Sequence, residues 1–258
     1  MNLSFIAVTK TEWLKTKRTA SVWLTVLGAG FMPALMLLIY ILKPATNIKH
    51  LGATPWHIHI SEAWQVENFF LFPMFVILIC SLITQVEYKN NTWKQVYASP
   101  VSIAQIYLSK LANILMMVLL FFVLMNIFLI GAALIVNLVN PKYLFLSTPF
   151  PWKPWLNINI KSFIAVLGIV SIQYWISIRF RNFILPLGIG LAMLIIALVG
   201  QEKWDGEYLF PYAYPILTLK SFMTPTDYFF QRHEWLSLLW FVVITAAGLI
   251  DTQRRKEY

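Results

Sequence analysis

The sequence predicts an all-α integral membrane protein. It is expected to have six transmembrane helices, an N-terminal interfacial helix, a cytoplasmic amphipathic helix after the second span, and a segment before the sixth span that either re-enters the membrane or lies at its surface as an aromatic belt. Three observations predict this. Hydrophobic residues make up 59% of the 258 positions and charged residues only 12%, whereas a soluble domain carries about a quarter charged. Mean hydropathy is +0.68, and the apolar residues gather in runs of about 20, the length that crosses a bilayer as a helix. The connections between runs leave no room for a separate soluble domain, so residues 1–258 read as a single membrane domain.

Residues 1–19 are too polar to insert, yet Leu3, Ile6, Ala7, Trp13 and Leu14 fall near one helical face, and Lys10, Lys15, Lys17 and Arg18 flank them. That pattern predicts a helix lying in the membrane plane with its cations toward headgroups. The first span, about residues 20–42, is far longer than the apolar core of a cleavable leader, so the N-terminus is expected to be retained. Further spans are expected near 68–86, 111–139, 160–178, 183–200 and 235–251. The fourth and fifth are joined only by Arg179 to Asn182, which predicts a tight helical hairpin. Gly28, Gly30, Pro33, Pro186, Gly188 and Gly190 mark close approaches or kinks, or ordinary use of small residues in membrane helices. The polar residues within the spans are neutral: Thr25, Ser81, Thr84, Asn113, Asn126, Ser171, Gln173 and Thr245. They read as helix–helix hydrogen bonds, and the lack of central ionisable groups points to an energy source outside the membrane. The lone Cys80 reads as packing.

The insert from Glu87 to Lys110, EYKNNTWKQVYASPVSIAQIYLSK, is the most informative stretch. Trp93, Val96 and Tyr97 share a helical face. Ser99 and Pro100 offer an N-cap hydroxyl and a first-turn proline, so the next helix is expected to begin there and to carry Ile103, Tyr107, Lys110 and Leu111 on its inner stripe. The insert is thus a short amphipathic helix, a break, and a long helix entering the bilayer.

Residues 43–67 contain His50, His57, His59, Glu62 and Glu67. His-x-His is a weak metal signal, and a surface aromatic and histidine loop is the favoured expectation. Residues 201–234 place Glu202, Asp205 and Glu207 before YLFPYAYPILTL, a run too interrupted by Pro211 and Pro215 to span; a re-entrant element over 208–230 is the slightly favoured alternative. With the N-terminus inside, the inner segments carry most of the 20 Lys and Arg residues, as the positive-inside rule requires. The net charge of +9 then faces anionic lipid, and nucleic-acid binding is not expected.

Enzyme motifs are lacking: there is no His-Glu-x-x-His, no Gly-x-Ser-x-Gly and no phosphate-binding loop of the Gly-x-x-x-x-Gly-Lys-Ser/Thr type. Catalysis by this chain is not expected. Glu12, Trp13, Leu14 and Lys15 before the first span, Glu87 closing the second, then Thr92, Trp93, Lys94, Pro100 and Lys110, resemble the permease subunits of ABC-2 type exporters. The layout is most similar to the lantibiotic-immunity permeases of the bacterial plasma membrane. The resemblance implies a dimer of six-span subunits, identical or related, on separate ATP-binding subunits that hold ATP and Mg, with no cofactor on this chain and both termini cytoplasmic. It makes Glu12, Trp13, Leu14 and Lys15 part of a connecting helix. It makes Glu87, Trp93, Lys94, Val96, Tyr97 and Pro100 part of an ATPase-coupling elbow, with Lys110 at its far end. The implied activity is export of peptide-like or other amphipathic substrates. The competing expectation is a non-transporting sensor or assembly subunit that docks a cytoplasmic partner through the same elbow.

Overall fold

The structure, a computed structural model, describes residues 5–17, 19–89, 101–200, 206–224 and 229–254. Among these residues the regular structure is helical throughout: α1 Phe5–Thr16, α2 Ala20–Leu42, α3 Pro44–Leu51, α4 Pro55–Val66, a π-turn Glu67–Leu71, α5 Phe72–Lys89, α6 Ile103–Val139, α7 Trp152–Arg179, α8 Ile184–Gly200, α9 Tyr214–Met223 and α10 Arg232–Arg254. Five continuous rods are long and apolar enough to cross a membrane: α2, the α4–α5 rod, α6, α7 and α10. The fifth expected span, α8, is a shorter apolar helix of 17 residues, at the lower limit for a span. The α1 helix, the end of α5, the start of α6, the α7–α8 hairpin and the end of α10 gather at one end of the bundle, here the terminal end.

Residues 43–67 correct the expectation of a surface loop. Pro44 and Pro55 open α3 and α4 at their first turns, where a missing N–H costs nothing. The α4 helix then runs through the π-turn into α5 as one rod of 35 residues. The π-turn has a local cause. Pro73 has no N–H to return to the carbonyl four residues back, and the Phe72 N–H bonds instead to Glu67 O, five residues back. The histidines diverge accordingly. His59 is fully buried between Tyr40 Oη (3.0 Å) and Leu129 O (3.1 Å), His57 is exposed, and His50 bonds Glu62 at 2.6 Å. No group of three potential metal ligands occurs among the described residues.

The start of the third-span helix is a second correction. It begins at Ile103 under Ser102, whose Oγ accepts from Gln105 N at 3.2 Å while Gln105 Oε1 accepts from Ser102 N at 3.3 Å. This capping box satisfies two orphan N–H groups at once, which a cap at Ser99 would not. The expected inner stripe is present, with Tyr107, Lys110 and Leu111 buried.

The core joins α2 to α6, α5 to α7 and α7 to α10. Phe72 stacks on Phe122 at 4.0 Å and Phe75 meets Phe121 at 4.3 Å, geometries that add to area burial. Gly190 is required by close approach, since a Cβ there would stand 2.7 Å from Gln173 Oε1 and 2.7 Å from an Ile77 methyl. Neutral polar residues link helices as expected: Gln173 Nε2 donates to Pro186 O at 2.8 Å, Tyr212 Oη donates to Gln173 Oε1 at 2.9 Å, and Asn126 Nδ2 donates to Asn159 Oδ1 at 2.6 Å. Thr84 and Thr245 differ: the Thr84 hydroxyl donates to Cys80 O and Ser81 O of its own helix, and the buried Thr245 hydroxyl has no hydrogen-bond partner. Cys80 is fully buried. Residues 211–219 are buried within the protein, with α9 packed on α7, α10 and the π-turn.

Candidate functional site

At the terminal end three elements that are remote in sequence bring their charges to one point. Val8, Glu12 and Thr16 lie four residues apart and form the buried face of α1, which packs along the start of α6. On the expected apolar face of α1, Ile6 and Leu14 are exposed and Trp13 packs partly against the core. From α6, Lys110 reaches Glu12 Oε2 at 2.6 Å and Glu87 Oε1, near the end of α5, at 2.8 Å. Lys15 closes the ring from the rim, at 2.6 Å from Glu12 Oε1 and 3.2 Å from Glu87 Oε1. One turn deeper, Asn113 Nδ2 donates to Thr16 Oγ1 at 2.5 Å.

Two carboxylates and two ammonium groups therefore balance, with Glu12, Glu87 and Lys110 buried. The side chains of Lys110 and Glu87 are each 1% exposed, against 34% for Lys15. Burial alone would raise the Glu12 pKa, but Lys110 and then Lys15 outweigh it and hold the carboxyl below its ordinary value. Burial likewise opposes the charge on Lys15, and Glu12 and Glu87 overcome that and raise its pKa. Both groups are thus held charged across the neutral range. The remaining oxygen of Glu87, Oε2, has no hydrogen bond.

The surroundings fix this clamp to the rest of the bundle. Tyr88 Oη donates to Ile178 O at 2.6 Å, and Tyr174 Oη donates to Tyr107 O at 2.7 Å, so the ends of α5 and α6 are both tied to α7. Asp251 of α10 accepts from Trp175 Nε1 at 3.0 Å and from Arg179 at 2.7 Å, which ties the last helix to the same end of α7.

Of the residues singled out by sequence, the structure unites Glu12, Lys15 and Glu87 with Lys110. Trp13 and Leu14 flank them without joining the cluster. Trp93, Lys94, Val96, Tyr97 and Pro100 lie outside the described residues. Sequence reasoning missed the Asn113–Thr16 bond and the polar ladder of α1; its signal was the four-residue spacing of Val8, Glu12 and Thr16.

This arrangement has no nucleophile–base pair. It joins an N-terminal helix to both ends of the insert, an arrangement suited to transmitting force. A family model described as ABC-2 family transporter protein matches residues 8–198, from α1 through almost all of α8. No curated protein and no solved structure matches the chain. The family match covers most of the chain and includes all four clamp residues, so the chain belongs to the ABC-2 transporter family, whose membrane components work with a separate ABC ATPase.

Proposed function

We propose that the chain is the permease subunit of an ATP-driven exporter in the bacterial plasma membrane, and that its terminal end faces the cytoplasm and docks the ATPase through residues 87–110. The observation that carries this reading is the buried clamp of Glu12, Lys15, Glu87 and Lys110. It grips both flanks of the insert, so a displacement of the insert is delivered to α5 and α6 together. In this reading α1 is the connecting helix, Trp93, Val96 and Tyr97 form the face that fills a groove on the ATPase, and Lys94 and Pro100 flank that face.

ATP and Mg are held by the ATPase subunits, and this chain supplies positioning and force transmission. Closure of the ATPases moves the insert; the clamp makes α1, α5 and α6 respond as one body, and α6 tilts along its length. A second permease, identical or related, completes the path. In this reading the substrates are peptide-like or other amphipathic molecules, lantibiotics among them. The size of the conformational shift is bounded by the difference in ATP affinity between the two states.

The test is docking of the purified ATPase to the chain in nanodiscs. Trp93→Ala should weaken docking by roughly 2 kcal/mol or more, about thirtyfold in Kd, with the chain still monodisperse. Unchanged docking and unchanged transport would refute the coupling role of the insert. Docking without substrate-stimulated ATP turnover would instead favour the sensor or assembly function.

A further inference from the structure

At the opposite, distal end of the bundle the π-turn carries a second buried acid whose setting contrasts with the clamp. Glu67 and Asn68 are both fully buried, and none of their four terminal atoms, Glu67 Oε1 and Oε2 and Asn68 Oδ1 and Nδ2, has a hydrogen-bond partner. Trp64 Nε1, one turn earlier and equally buried, has none either. The elements packed on the π-turn are α4, α5 and α9. Their titratable and charged groups are engaged elsewhere or remote: His59 with Tyr40 and Leu129, Glu62 with His50, Glu87 with Lys110, Lys220 with Glu207 at 3.5 Å, and Tyr214 with Tyr208 O. His57 is exposed, while Lys89 and Tyr88 stand at the far end of α5 and Cys80 between.

An uncompensated carboxylate in such a place is costly, and ionisable groups inside a membrane protein mark functional sites by default. Single π-turns likewise concentrate at functional positions. The donor and acceptor set decides the ligand class. Glu67 offers two unpaired acceptor oxygens, with the Asn68 amide oxygen one position on, and an ammonium, which has three N–H donors and no acceptor, is the group such acceptors pair with. A metal ion would lack further ligands, since no group of three His, Cys, Asp or Glu exists among the described residues. An anion would meet the carboxylate.

We propose that the Glu67–Asn68 π-turn is a binding site for the primary ammonium group of an amphipathic cation, the polar anchor for substrate in the distal half of the permease. This rests on the exporter reading and extends it by naming the charge and group that the substrate presents. The α9 helix is packed over the π-turn and is the element that a ligand must displace.

The test uses the full chain in nanodiscs and dodecylamine bearing a diazirine at C3, close to its ammonium group. After photolysis the peptide spanning residues 64–72 should be labelled, and excess dodecylamine should suppress the label while dodecanol leaves it. Glu67→Gln, a neutral near-isostere, should lower labelling by about tenfold, the equivalent of one lost charge-assisted contact. Equal labelling in folded Glu67→Gln, or equal competition by dodecanol, would overturn the proposal and leave buried water as the partner of these atoms. If Glu67→Gln fails to elute as a monodisperse peak, the competition in the unsubstituted chain and Asn68→Ala decide in the same way. Glu67-dependent labelling of a chain that recruits no ATPase would uphold the site and sink the exporter reading; ATPase recruitment with Glu67-independent labelling would do the reverse.

Discussion

Replacing Lys110 by Met removes the one cation that contacts both acids from within the protein. Lys110 Nζ lies 2.6 Å from Glu12 and 2.8 Å from Glu87, and the lysine and Glu87 side chains are 1% exposed. Met fills the stem volume but leaves two buried carboxylates facing only Lys15, whose side chain is 34% exposed and whose pairing contributes no more than about 1 kcal/mol. Breaking a buried pair by removing one partner costs about 3–5 kcal/mol. Lys110→Met should therefore lower the Tm of the detergent-purified chain by on the order of 10 °C, read by fluorescence-detected gel filtration. It should also speed tryptic cleavage after Lys17, which lies exposed just beyond α1. Adding Glu12→Gln restores charge balance between Glu87 and Lys15, so the double variant should recover most of the loss. A single variant within about 1 kcal/mol of the parent, or a double variant no more stable than the single, would refute the argument that the clamp is a closed, charge-balanced unit.

The same geometry predicts a pH window for α1. The Glu12 pKa is lowered in the fold, so its contribution is present above the ordinary carboxylate range and is lost as pH falls through the lowered value. The Lys15 pKa is raised, so its contribution is complete below the ordinary lysine value and is lost as pH rises through the raised one. A spin label at Lys10→Cys should thus stay immobile across neutral pH and loosen only at the two extremes; loosening near pH 7 would contradict this. Asn113→Leu removes the bond to Thr16 and should cost about 1 kcal/mol by thermal unfolding, with no loss of membrane insertion. Gly190→Ala forces a methyl to within 2.7 Å of Gln173 and Ile77 and should cost about 1–3 kcal/mol; a neutral result would mean that α7 and α8 approach less closely than described.

The bundle was legible because apolar run length is dictated by the bilayer, and the rods fall on the expected runs. Residues 43–67 were not legible as α3 and α4 because their polar and histidine content reads as a loop; the helices are set by Pro44 and Pro55 at their starts and by the rod continuing past Pro73 through a π-turn. The clamp was half legible. Glu12, Lys15, Glu87 and Lys110 could each be singled out by position, but a contact between residues 98 positions apart has no periodic signature. The α6 surface that α1 packs on presents Lys110 and Asn113, so Glu12 and Thr16 are buried against it while Ile6 and Leu14 stand exposed. The capping box at Ser102 was overlooked because the Ser-Pro pair three residues earlier is the louder signal.

Affinity purification of the chain from its native membranes in mild detergent, with mass spectrometry of what remains bound, tests whether it works with an ABC ATPase. An ABC ATPase should be recovered with the unsubstituted chain, together with any second permease, and should be lost when Trp93 and Tyr97 are both changed to Ala. Retention of the ATPase by that double variant would show that residues 87–110 are not its docking surface, and its absence from the unsubstituted chain under conditions that preserve other ABC complexes would show that the chain is not an exporter permease.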